Sequence, residues 1–61
     1  MTIKEIREKV LLTQEELAKV VGVSHRTIQT WEQGVHKPSI RLKRKLIEYC
    51  KSKGLEIDNV E

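Results

Sequence analysis

The chain has 61 residues, with 12 Lys and Arg against 9 Asp and Glu, a net charge of +3 and a pI near 9.3. That length allows one domain, and a chain of this size buries only about 60% of the surface its unfolded form exposes. The single Cys50 excludes an internal disulfide framework and fits a reducing cytosol, no apolar run approaches the roughly 20 residues a membrane span requires, and the basic balance permits a polyanionic partner without demanding one.

In chain order, Thr2 is the first helix cap, with Glu5 at the capping-box position and Met1 and Ile6 as a staple pair. No signal peptide is expected, since Met1 leads straight into this capped helix. Ile3, Ile6 and Val10 line one face, and the spacing predicts a helix over about 3–11. At about 100° per residue, Arg7 falls on the flank of that face.

Thr13 and Glu16 repeat the capping pattern, and Leu12 and Leu17 are its staple. Leu17, Val20 and Val21 mark the apolar side of a helix over about 14–21. Ala18 stands one turn before Gly22, where a small side chain lets a second helix approach. Gly22 can take the left-handed conformation that ends the helix. One residue later Ser24 caps a third helix, over about 25–33, with Val23 and Ile28 as staple and Gly34 as terminator. Two short helices joined by a tight glycine turn form a helix-turn-helix, whose second helix is a candidate reader of a DNA major groove.

Ile28 and Trp31 form the inward stripe of the third helix, with Thr27 alongside. The opposite face carries Arg26, Gln29, Thr30 and Gln33, with His25 at its edge. It is rich in hydrogen-bonding groups and has no Asp or Glu, which suits base edges and phosphates. We assign base contacts to His25, Arg26, Gln29 and Thr30. Glu32 is the only acid on this helix and lies near the core stripe, so we pair it with Arg7 across the two helices.

Pro38 cannot continue a helix and restricts Lys37. Ser39 then caps a fourth helix, over about 40–52, whose core residues are read as Leu42, Leu46, Ile47 and Cys50. Arg41, Lys43, Arg44 and Lys45 form a basic cluster. Phosphate contacts are expected from Lys37, Ser39 and Arg41 near this helix start, and from Ser24 at the other cap. Gly54 ends the helix. Residues 1–54 make the domain, and 55–61 a tail that reads as an extended arm pairing with a partner's tail, a ragged turn, or disorder.

The stretch from Thr13 to Gly34 resembles the lambdoid-phage repressor and Cro family, also called Xre-type. Gln14, Leu17, Ala18, Gly22, Val23, Ser24, Ile28, Trp31, Glu32 and Gly34 carry the resemblance, which extends more weakly to the first helix and to Lys37-Pro38-Ser39. It implies an all-α fold: a compact four- to five-helix repressor-like DNA-binding domain. It implies the Arg7–Glu32 pair too, and gives Gln14 two tasks, binding a phosphate and bracing the recognition helix. His25 departs from the Gln common in some phage relatives, so their operator preferences do not transfer.

The expected partner is double-stranded DNA, bound by a homodimer reading two half-sites. The expected function is a small cytoplasmic transcription regulator; a protein-interaction or antitoxin-like module on the same fold is the alternative. Catalysis is not expected: His25, His36 and Cys50 are the only nucleophile or metal candidates of note, and no ligand spacing links them. No cofactor, metal, small-molecule ligand or membrane partner is expected. Trp31→Ala should cost about 3–5 kcal/mol, enough to abolish cooperative thermal unfolding followed by circular dichroism.

Overall fold

A computed structural model describes residues 1–60; Glu61, the last residue of the tail, lies outside the described residues. Four helices follow one another: α1 (Ile3–Lys9), α2 (Gln14–Val21), α3 (His25–Gln33) and α4 (Ile40–Ser52). Each begins at a hydroxyl side chain that accepts a backbone N–H three residues on: Thr2, Thr13, Ser24 and Ser39. At Thr2 and Thr13 the capping box is complete, because Glu5 and Glu16 accept the cap residue's own N–H at 3.0 and 2.9 Å. Those bonds hold both carboxyls below the usual carboxylate range.

The helix ends share one geometry. Val23 N–H reaches the Ala18 carbonyl at 2.9 Å, Val35 reaches Thr30 at 3.0 Å, and Leu55 reaches Cys50 at 2.8 Å. These six-to-one bonds define the Schellman motif, which places the preceding residue in the left-handed region. Gly22 and Gly34 take it at φ 84° and 79°. The end of α1 has the same bond, from Leu12 N–H to the Arg7 carbonyl at 3.1 Å, but the left-handed residue is Leu11 at φ 59°. α1 therefore stops at Lys9, two residues short of the expected Leu11. The sequence carried no glycine to signal that stop.

The core gathers Ile3 and Ile6 from α1, Leu17, Ala18 and Val21 from α2, Ile28 and Trp31 from α3, and Leu46 and Cys50 from α4. α2 is the central element: it packs against both α3 and α4, while α1 packs against α3. Ala18 is buried, as a close α2–α3 approach requires. On α4, Leu46 and Cys50 are fully buried, whereas Leu42 and Ile47 pack at the margin as partly buried residues. Ile47 flanks the Leu46–Cys50 ladder, and Leu42 lies one turn before it, in the first turn of α4 at the margin of the core.

The tail folds onto its own domain. Val60 is buried in the core, Leu55 and Ile57 pack against it, and the Met1 ammonium donates to the Asn59 carbonyl at 3.2 Å. Residues 55–60 form neither helix nor strand. In this arrangement the apolar residues of the tail pack against the chain's own core, a region for which the sequence left an extended arm, a ragged turn and disorder open.

Leu11 is 88% exposed, so its side chain contributes no packing that would offset a left-handed backbone. That conformation costs a non-glycine residue about 1–2 kcal/mol, while glycine adds about 0.5–1 kcal/mol of unfolded-state entropy. Leu11→Gly should therefore stabilise the fold by about 0.5–1 kcal/mol, seen as a rise of several degrees in thermal midpoint. A fall in midpoint would show that Leu11 holds the turn by contacts other than backbone geometry.

Candidate nucleic-acid interface

The orientation of α3 follows from its core stripe. Ile28 has no exposure and Trp31 is buried, so the helix can face solvent only with the opposite side. That side presents Arg26 and Gln33 as exposed residues and Gln29 and Thr30 as half-buried ones. With His25 they line one shallow cleft. Gln33 belongs to this surface although the base-contact assignment omitted it; its place seven residues after Arg26 and four after Gln29 was the available signal.

A polar network fixes how α3 sits on its neighbours. Arg7 Nε donates to Glu32 Oε2 at 2.7 Å, Arg7 Nη2 reaches Glu32 Oε1 at 3.4 Å, and Arg7 Nη1 donates to the Leu12 carbonyl at 3.0 Å. Gln14 Nε2 donates to Glu32 Oε1 at 3.1 Å. The two charged side chains are 18% and 9% exposed. Burial opposes ionisation of Glu32, but the hydrogen bonds from Arg7 and Gln14 and the charge of Arg7 outweigh it, holding the carboxyl below its ordinary value of 4.5. Gln14 also accepts, through Oε1, from His25 Nε2 at 2.9 Å. Its second amide N–H remains for another acceptor.

Several hydroxyls are partly committed. Thr30 Oγ1 donates to the Thr27 carbonyl at 2.7 Å, so towards a ligand it can only accept. Ser24 Oγ accepts from Thr27 N–H at 3.2 Å and shares a hydrogen bond with Thr27 Oγ1 at 2.9 Å. Lys37, Ser39 and Arg41 are all exposed around the start of α4, anchored by the buried Pro38 between them. Arg44 and Lys45 are exposed on α4, and the Lys45 ammonium lies over the α2–α3 turn at Gly22.

Among the described residues, no group of three or more His, Cys, Asp and Glu is placed to hold a metal ion. Burial pushes the Cys50 thiol up, away from the thiolate a nucleophile needs. Among the described residues, no helix is long and apolar enough to cross a membrane.

Comparison with known proteins bears on the same elements. The helix-turn-helix family model matches residues 3–57, from α1 into the tail. An uncharacterized HTH-type transcriptional regulator of Archaeoglobus fulgidus is 47% identical over 51 residues, 84% of this chain and 72% of that protein. A second from the same organism is 52% identical over 44 residues, 72% of this chain and 63% of that protein. The uncharacterized HTH-type transcriptional regulator YgzD of Bacillus subtilis is 33% identical over 58 residues, 95% of this chain and 83% of its own. No solved structure matches the chain significantly.

Because the folded-state carboxyl of Glu32 is depressed, its network stabilises the fold above the ordinary carboxylate range, and that contribution is lost as pH falls through 4.5 and below. Near neutral pH, Glu32→Ala should cost about 1.5–3 kcal/mol, the size of hydrogen bonds to a charged group. Glu8→Ala, at an exposed position, should change little. The stability gap between wild type and Glu32→Gln should narrow on acidification in denaturant titrations. Equal midpoints for Glu32→Ala and Glu8→Ala would refute the role given to the network.

A helix-turn-helix with both caps and both glycine stops in place, an acid-free face turned outward on its second helix, and a family match across nearly the whole chain lead to one assignment: the chain belongs to the Cro/C1-type helix-turn-helix family of DNA-binding transcriptional regulators.

Proposed function

We propose that the chain is a small Cro- or repressor-like regulator that places α3 in the major groove of double-stranded DNA. The observation that carries this reading is the inward stripe of Ile28 and Trp31, which leaves Arg26, Gln29 and Thr30 on the outer side. Among the described residues Arg26 has no hydrogen-bond or ion-pair partner and is exposed, and an exposed guanidinium can hold guanine O6 and N7 together. Gln29 suits adenine N6 and N7 by the same two-bond logic. Thr30, as an acceptor with a methyl group, suits an exocyclic amine or a thymine methyl. Gln33 extends the same strip. His25 stands where the strip meets α2.

Phosphates would be held by the second amide N–H of Gln14, by Ser24 and Ser39 with the helix N-termini they cap, and by Lys37 and Arg41. One copy offers little contact area. Two copies on half-sites roughly 34 Å apart would bind far more tightly, so the acting species is a homodimer on DNA in the cytoplasm, at the nucleoid. The family is generally non-enzymatic, and neither cofactor nor small-molecule ligand is required by this mechanism.

The division between readers and anchors is testable by quantitative binding to a sequence library. Arg26→Ala should relax base preference at one position, with about 1–3 kcal/mol of discrimination lost. Lys37→Ala should weaken binding evenly across sequences and lower the salt slope by about one. Uniform loss in both variants would contradict the division.

A further inference from the structure

His25 is the one residue of the outer strip whose ring is engaged by another helix. Its Nε2 lies 2.9 Å from Gln14 Oε1, and its Nδ1 lies 3.7 Å from Glu15 Oε1. The Gln14 amide cannot turn over freely, because its nitrogen donates to the Glu32 carboxylate that Arg7 holds ionised. The amide oxygen therefore faces His25, and an amide oxygen only accepts. The neutral ring must carry its proton on Nε2. Its remaining site, Nδ1, then points a lone pair at the Glu15 carboxylate. A second proton converts that unfavourable approach into an ion pair.

The charged groups around the ring come from three helices: Glu15 on α2, Glu32 behind Gln14 and Arg26 beside it on α3, and Arg7 on α1, already paired with Glu32. Glu15 is 73% exposed, so in the free protein the pair contributes little. Beside a duplex the balance changes. An unpaired Glu15 would repel phosphates, whereas an imidazolium neutralises it and adds positive charge at the start of the reading helix.

We propose that His25 is a proton-linked positioning residue rather than a base reader: its imidazolium, held at Nε2 by Gln14 and at Nδ1 by Glu15, is the form in which α3 enters DNA. The inference rests on α3 being the DNA-reading helix. It makes DNA affinity rise as pH falls through the range in which histidine changes charge, about 8 to 5. Base preference stays with Arg26 and Gln29.

The test measures affinity of the full chain for the duplex it enriches from a random pool, from about pH 8 to about pH 6 at constant ionic strength. Wild type should tighten roughly three- to fivefold, the scale of an exposed ion pair. His25→Gln keeps a donor for Gln14 Oε1 but takes no proton, and should bind without that pH dependence. Glu15→Gln should reduce the dependence, and His36→Gln should retain it. In the DNA-free protein, two-bond 1H–15N spectra should place the neutral His25 proton on Nε2. A pH-independent wild type, a dependence that survives in His25→Gln, or an Nδ1–H tautomer each overturns the inference while leaving DNA reading in place. A chain that holds no duplex at any pH overturns the DNA reading and this inference with it.

Discussion

One carboxylate ties the domain together. Glu32 is nearly buried and ionised, and it accepts from Arg7 on α1 and Gln14 on α2 while standing on α3. An ionised group at 9% exposure is tolerated only where its lone pairs are met by donors. Meeting them fixes the rotation of α3 against both neighbours. The apolar side of the same helix agrees: Ile28 and Trp31 enter the core from the adjacent stripe. Two unlike constraints, one electrostatic and one hydrophobic, thus select one phase for α3. In so small a domain, where buried apolar area is limited, a directional polar tie is a large share of what makes the structure unique.

The network also sorts the outer strip by what each side chain still has to offer. Thr30 has used its donor within the helix, His25 is engaged by α2, and Gln14 keeps one amide proton. Arg26 and Gln33 are exposed, with no side-chain hydrogen bond among the described residues. A face that looks uniform as a string of polar residues is therefore graded in chemistry. Of these side chains, Arg26 stands in the first turn of α3, the end of such a helix that meets base edges when it lies in a major groove.

Much of this was legible because it depends on local rules. Thr-x-x-Glu at Thr2 and at Thr13, Ser24 before an apolar-periodic run, and glycine after it each satisfy orphan backbone groups near at hand. The Arg7–Glu32 contact could be inferred from helical phase, since both residues flank a core stripe. What escaped reading lacked a local cause. Leu11 closes α1 in a conformation its residue type does not advertise. Val60 is buried because residues near the two ends of the chain meet, a contact no periodicity encodes. The double hold on Gln14 needs three helices in place before its two partners exist.

The central claim is that an inward Ile28 and Trp31 turn a DNA-reading surface outward. Selection of bound duplexes from a random pool tests it most directly. The account predicts enrichment of a short motif, arranged as two related half-sites about one helical turn apart, with affinity falling as salt is raised. A pool that emerges unenriched, from a correctly folded chain that fails to retain duplex even at low ionic strength, would contradict it.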